Sequence, residues 1–550
     1  MSDRVTVAEA VGRTLAHLGA GHVFGVVGSG NFHVTNAILD GGVEFTAARH
    51  EMGAACMADA YARLTGKVAI VSVHQGCGLT NAMTGIVEAA KCHSPVLVVS
   101  GDTANGHVTS NFYIDQDAAV RALGAVPERI HSAKSAVSDA ARAFRSALYE
   151  RRTVVLSLPI DIQDELVEWS VDSIPAANAP VRAGASQQSV REVLELLAEA
   201  ERPVIVAGRG AWGAGADLRE LGARIGALLV TSAAGRGLFV DDDWALDIMG
   251  GFATDGAAEL VQDADVVLAF GVALNNWTTR SGSLLANAKV VQVDDRLDAI
   301  GWHRPVDVGV WGDAREVAQA LVRELPGSRV GYRSDEVAVK VRESRYWADQ
   351  AVESRAEERR VDPRELSNAL EHILPTERVV VPDGGNFACY PAAHLRVPDE
   401  RGFCFPASFQ SIGLALSSAI GAAVASPERL VVAGIGDGGF MMSLVELDTA
   451  VRLGLGMVIV IYNDSAYGAE VHHFEHVTDQ LETVVFPETD LAAIARGFGC
   501  DAITVETLDD VDAVSLWLAG PRDRPLVIDA KVAKFASWVL AHAHRVEKDA

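Results

Sequence analysis

The chain is short of basic charge and of cysteine, and no stretch approaches the roughly 18 consecutive apolar residues that read as a membrane span. No bilayer-crossing helix is therefore expected. The opening "MSDRVTVAEAVGRTLAHLGA" lacks the form of a secretory leader and reads as a helix with Ser2 or Asp3 as cap. The six cysteines, Cys56, Cys77, Cys92, Cys389, Cys404 and Cys500, are scattered without a C-x-x-C pair. That spacing gives no structural zinc pattern and suits a reducing, cytoplasmic compartment. With 47 basic against 73 acidic residues, the formal charge of -26 argues against nucleic acid as a partner.

What the chain does contain is a globular composition, 49% hydrophobic and 22% charged, over 550 residues. One core rarely serves that length, and about three or four domains are the prior. Glycine-bounded runs rich in valine, isoleucine and leucine recur: "HVFGVVG", "VAIVSVH", "PVLVVSG", "TVVLSLP", "RPVIVAG", "DVVLAFG", "KVVQVDD", "RVVVPDGG", "RLVVAGIGDGG", "MVIVIYND" and "PLVIDAKV". Helical patterns such as "AACMADAYARLTG" and "SVREVLELLAEA" separate them. Continuous apolar strands alternating with helices indicate parallel sheets covered on both faces. The expectation is an α/β chain of three doubly wound parallel-sheet domains, at 1–165, 185–330 and 360–550. Residues 166–190 read as a connector and 330–362 as a solvated linking helix. The first and third units are candidates for one shared architecture.

Residues 429–468 place two apolar runs ahead of acid-bearing turns, "GDGG" and "ND". An isolated "GDGG" is more often a plain turn. Here a strand precedes it and a helix follows, so backbone N–H groups and a helix N-terminus can meet an anion. An acid beside such an anion repels it unless a cation intervenes, which makes Asp437 a candidate magnesium ligand. Asn463 and Asp464 end the next strand run and reach the same place if the two strands are neighbours.

G-D-G, then N-D, then Y-G resembles the signature of thiamine diphosphate enzymes, in the acetolactate synthase, pyruvate oxidase and decarboxylase group. The resemblance implies that Asp437, Asp464 and the backbone carbonyl of Ala466 hold magnesium. Asp464 stands where asparagine is usual, and Asn463 is the alternative ligand. Gly436, Gly438, Gly439, Tyr467 and Gly468 fall on the same cofactor turn, with Gly385, Asn386 and Phe387 of "PDGGNF" on the other side of the diphosphate. "RHEMGAACMADAYARLTG" resembles the family's glutamate helix and gives Glu51 the bond to the aminopyrimidine. In apolar surroundings such a carboxyl keeps a raised pKa and can share its proton, promoting the imino form that removes the proton from the reactive carbon. Ile412 in "FQSIGLALSSAIGAA" matches the side chain that bends the cofactor, while Gln410 replaces a usual glycine. Glu51 and Asp437 lie on different units, and family sites are shared between chains. A homodimer or dimer of dimers is therefore implied.

Alignment with acetolactate synthase loops implies a substrate pocket of Gly30, Asn31, His33, His74, Gln75, Asp115, Gln116, Glu470 and His473. Of these, Gln116, His74, Glu470 and His473 join Glu51 as candidate catalytic groups, and His472 is a further histidine to place. Histidine suits proton movement near neutral pH. The middle unit, with "AGRGAWGAG" and "VVQVDDR", resembles the central domain that binds FAD or ADP in some relatives and nothing in others, so FAD is left open. The implied activity is decarboxylation of a 2-oxo acid, with pyruvate as first choice, and transfer of the acyl unit to a carbonyl acceptor. A non-oxidative decarboxylase or carbon–carbon lyase acting on a 2-oxo or diketone substrate is the alternative. A non-catalytic, cofactor-binding relative is the third.

Overall fold

The computed structural model describes residues 3–176 and 178–540; Ser2 and the 541–550 end of the third unit lie outside the described residues. All eleven apolar runs form strands, and they fall into three fully parallel sheets. The first sheet runs Phe45–Ala47, His22–Gly25, Ala69–Val73, Val96–Asp102, Val154–Pro159, Val126–Arg129. The third runs Arg378–Pro382, Leu430–Gly436, Val458–Asn463, Leu526–Lys531, Asp501–Val505. Without its edge strand Phe45–Ala47, the first sheet repeats the strand succession of the third, as the shared-architecture expectation required. The middle sheet runs Ala245–Ile248, Leu228–Thr231, Pro203–Ala207, Val266–Phe270, Lys289–Asp294, Val308–Trp311. Its chain order reverses between Pro203–Ala207 and Val266–Phe270, where an open α/β sheet places its crevice.

Two local expectations are corrected. Residues Asp3–Thr6 form a strand, because they pair antiparallel with Leu166–Trp169 at the head of the expected connector. The helix starts later, at Val7–His17, capped by Thr6: its hydroxyl accepts from Glu9 N (3.2 Å) and its own N–H donates to the Glu9 carboxylate (2.8 Å). The expected linking helix is confined to Asp335–Ser344. Beyond it the chain is mostly irregular, since Trp347 packs on Trp538 at 4.3 Å and Arg355 lies over Phe535 at 5.2 Å. Those tertiary contacts outweigh helix propensity.

The first and third units share one core. Helix Glu51–Thr65 lies between helices Cys77–Lys91 and Ala415–Ala425 through small residues: Ala55 is set against Gly85 of the first, and Ala54 and Ala58 share one core cluster with Leu416, Ala419 and Ile420 of the second. The approach is close enough that a Cβ on Gly421 would stand 2.1 Å from the Met57 carbonyl oxygen. Among the described residues no helix is long and apolar enough to cross a membrane.

Candidate functional site

Strands Leu430–Gly436 and Val458–Asn463 are parallel neighbours with Gly436 opposite Tyr462. Their carboxyl ends therefore carry Asp437 and Asp464 side by side. Asp437 begins helix Asp437–Ser443, and both carboxylates are buried, each with one oxygen lacking a hydrogen-bond partner. Burial raises the Asp437 pKa to about 6. Burial, and then the neighbouring Asp437 charge, raises Asp464 to about 8. Two buried acids side by side, each with one oxygen unpaired, fit a divalent cation, which would take those oxygens and remove the repulsion. Asn463 is otherwise engaged: its Nδ2 donates to Asp529 Oδ1 (2.8 Å) and its Oδ1 accepts from Ser465 N (3.1 Å). Of the two, Asp464 is the residue with free ligand capacity. Ser465 takes a left-handed φ of 59°, turning Ala466 and Tyr467 past Asp464. Gly468 is needed there, because a Cβ would lie 2.5 Å from Asp464 Oδ2. Gly438 in turn lies under the Tyr467 ring, and Gly436 and Gly439 complete the floor.

Across the cleft, the turn after Arg378–Pro382 is organised by Asp383, which the sequence reading did not single out. Its buried carboxylate accepts from Gly413 N (2.7 Å), Leu414 N (3.0 Å) and Ala415 N (3.2 Å) at the start of helix Ala415–Ala425. Gly385, at φ 88°, and Gly384 lie against Ile412. Ile412 is half-buried and lines the cleft. Gln410 adopts φ 62°, the conformation for which a glycine would be natural. Asn386 is committed to the chain beyond the last strand of the sheet: Nδ2 donates to the Phe535 carbonyl (3.1 Å) and Oδ1 accepts from Ser537 N (2.8 Å). Phe387 stacks on Tyr462 in the core, with ring centroids 5.8 Å apart.

The first-unit candidates form a second group. Glu51 is the first residue of helix Glu51–Thr65 and accepts from Asn81 Nδ2 at 3.0 Å. Its helix start is anchored by Glu446, which accepts from Arg49 N (3.1 Å) and His50 N (2.9 Å) and whose pKa burial raises. Neither Asn81 nor Glu446 stood out in sequence. His74 lies one helix start away, with Nδ1 3.0 Å from the Gln75 carbonyl and Nε2 3.4 Å from Ser29 Oγ. A carbonyl only accepts, so Nδ1 carries the proton in the neutral ring and Nε2 keeps its lone pair. Gln75 is buried against Gly30 with Oε1 unpartnered.

Other expected pocket residues are occupied elsewhere. Asn31 donates to Ser72 Oγ (2.8 Å) and accepts from Gly28 N (2.8 Å), shaping its own loop. The Gln116 amide is buried, donating to Gly101 O (3.1 Å) and Ser157 Oγ (3.2 Å) and accepting from Gly76 N (3.1 Å). Asp115 caps helix Gln116–Ala122 by accepting from Ala118 N at 2.9 Å. His33 is exposed, edge-on to Phe32. On helix Gly468–Phe474, Glu470 is exposed on the cleft wall, His472 is buried with Nδ1 3.1 Å from Glu475 Oε1, and His473 packs edge-on to Phe474.

A cleft of about 1710 Å³ joins the Gly385, Gly436, Gly439 and Ala466 turns to the crevice of the middle sheet at Arg209, Gly210 and Gly271. Glu51, His74 and Gln116 do not line it. The candidate residues thus fall into two separate groups on the chain. Apolar side chains stand exposed in both units, Phe112 (46%) in the first and Met441 (47%) and Met442 (48%) in the third.

Three family models match. They are described as thiamine pyrophosphate enzyme N-terminal TPP binding domain (residues 5–120), central domain (190–321) and C-terminal TPP binding domain (383–530). The chain is 28% identical to a sulfoacetaldehyde acetyltransferase of Alcaligenes xylosoxydans xylosoxydans, over 92% of this chain and 89% of that protein. It is 28% identical to a probable 2-ketoarginine decarboxylase of Pseudomonas aeruginosa, over 92% and 91%. It is 26% identical to an acetolactate synthase of Bacillus subtilis, over 96% and 93%.

Proposed function

The chain belongs to the thiamine pyrophosphate (thiamine diphosphate) enzyme family, and from that premise we propose that it decarboxylates a 2-oxo acid, pyruvate first, and transfers the acyl unit to a carbonyl acceptor. The observation that carries the cofactor half of this reading is the pair Asp437 and Asp464, buried at neighbouring strand ends with unpaired oxygens. With the Ala466 carbonyl they would hold magnesium, and the Gly436–Gly439 turn would receive the diphosphate oxygens. When bound, the cofactor supplies a carbon nucleophile able to hold the electron pair left by departing carbon dioxide.

The protein's part is to bind, orient and move protons. Glu51, its carboxyl steered by Asn81, would bond the aminopyrimidine ring from the first unit of a second copy. The separation of the half-sites and the exposed Phe112, Met441 and Met442 support that pairing, in a dimer or dimer of dimers. His74 offers Nε2 as a proton acceptor because its other nitrogen is held by the Gln75 carbonyl. Gln116 and Asn31 act by shaping the loops around it. Of the relatives above, one is named an acetyltransferase and one a synthase, which supports transfer, and the third is named a probable decarboxylase, which supports the second reading.

The second reading, a non-oxidative decarboxylase or lyase, is favoured by Glu470, an exposed acid on the cleft wall beside Ala466–Gly468. Incubation with pyruvate, magnesium and thiamine diphosphate, followed by mass spectrometry, separates the two. A ligated hydroxyketone supports transfer; aldehyde alone supports the second reading. Absence of turnover over a panel of 2-oxo acids and 1,2-diketones would refute both.

A further inference from the structure

The helix that begins at Glu51 carries Arg63 in its last turn, with a side chain only 7% exposed. The guanidinium spreads over three partners: Nε donates to Asp59 Oδ1 (3.1 Å), Nη2 to Glu88 Oε1 (2.6 Å) and Nη1 to the Phe405 carbonyl (2.8 Å). Glu88, from helix Cys77–Lys91, is fully buried and accepts from Ser408 N (3.0 Å) and Phe409 N (2.7 Å). Cys92 Sγ lies 2.7 Å from Ser408 Oγ. Residues 405–409 of the third unit are thus clamped to the first unit through their backbone. Four residues on, Gly413 N is held by Asp383. Between the two anchors lie Gln410, in its left-handed conformation, and Ile412, against the Gly384–Gly385 turn.

Burying this many charges is rarely the cheapest way to stabilise a protein, since apolar residues of like volume often serve as well or better. What ions provide here is direction: a forked donor and a two-oxygen acceptor fix the backbone groups at 405, 408 and 409. We propose that Arg63 and Glu88 are positioning residues that set the conformation of residues 410–412 against which the cofactor folds. The inference rests on the thiamine diphosphate reading and extends it. One helix would then serve two half-sites, presenting Glu51 to one and, through Arg63, shaping the cofactor bed of its own chain.

The test uses Arg63→Lys and Glu88→Gln in the full-length protein. Arg63→Lys is read first, because it keeps the positive charge between Asp59 and Glu88 while losing the fork that reaches Phe405. Far-ultraviolet circular dichroism monitors the fold, titration with thiamine diphosphate and magnesium gives Kd, and near-ultraviolet circular dichroism at saturation reports the bound cofactor's conformation. The expected result is native secondary structure, a Kd raised about tenfold, and an altered cofactor spectrum at saturation, with Glu88→Gln showing the same pattern. A merely structural role would lower thermal stability and leave the saturated spectrum unchanged. Wild-type Kd and spectrum in folded Arg63→Lys would overturn the inference alone. A wild-type protein that binds no thiamine diphosphate would overturn the functional reading together with it.

Discussion

Replacing Asp464 by asparagine tests the metal site without any turnover measurement. In the metal-free protein Asp464 rises from the ordinary 3.8 to about 8 and Asp437 to about 6. Both folded values exceed the unfolded ones, so the native state holds protons that the unfolded chain releases above pH ~4. Their contribution to stability is present at low pH and is lost as pH rises through about 6 to 8. At about 1.4 kcal/mol per pH unit, the Asp464 rise alone corresponds to about 6 kcal/mol. Because the pair titrates jointly, the loss between pH 5 and 9 is on the order of 3–6 kcal/mol. For a unit of this size that corresponds to roughly 10 °C in the melting midpoint. The assay is thermal unfolding in EDTA across that pH range. Asp464→Asn removes the second charge and should at least halve the fall, while Asp383, also raised to about 6 by burial, contributes equally to both proteins. Magnesium with thiamine diphosphate should flatten the wild-type profile. An identical slope in wild type and Asp464→Asn would refute the mutual repulsion assigned to these carboxylates.

Five further outcomes are expected. Glu51→Gln should lower kcat by about 10²–10⁴-fold, the range for removing one proton-transfer group, while leaving cofactor Kd within a few fold in a titration. His74→Phe should lower turnover in a steady-state assay, whereas Gln116→Ala should act chiefly through stability, read by thermal unfolding. Glu446→Ala leaves Arg49 N and His50 N without acceptors and should cost about 1–3 kcal/mol in denaturant unfolding. Exhaustive dialysis against EDTA should lower thiamine diphosphate affinity at least tenfold, restored by adding magnesium.

Most buried strands were readable because parallel sheets covered on both faces need continuous apolar runs, and each of the eleven runs became a strand; Leu228–Thr231, buried and interior in the middle sheet, escaped because its apolar stretch is only four residues long. Val126–Arg129 ("VPER") and Asp501–Val505 ("DAITV") escaped because they are edge strands and carry polar residues. Asp437 and Asp464 were legible from spacing, since both sit at the ends of adjacent strands. Asp383 was not, as its acceptor role is defined by amides 30 to 32 positions away. The amides of Asn31, Gln116 and Asn386 show the same limit. Their residue types suit ligand contact, yet their bonds go to protein groups that no local pattern encodes. The separation of Glu51 from the Asp437 cleft followed from their placement on different units.

Arg49 and the Glu446 that holds it lie 397 positions apart, and helix Ala415–Ala425 covers an alanine-lined face of the helix that follows Arg49. At about 5–20 residues per second, the ribosome takes roughly 20–80 s to deliver that cover. Throughout this interval the nascent amino-terminal unit carries an open greasy surface with no mate. Its yield in the cell will depend on chaperone capacity and translation speed, and an excised amino-terminal fragment will clump when overproduced.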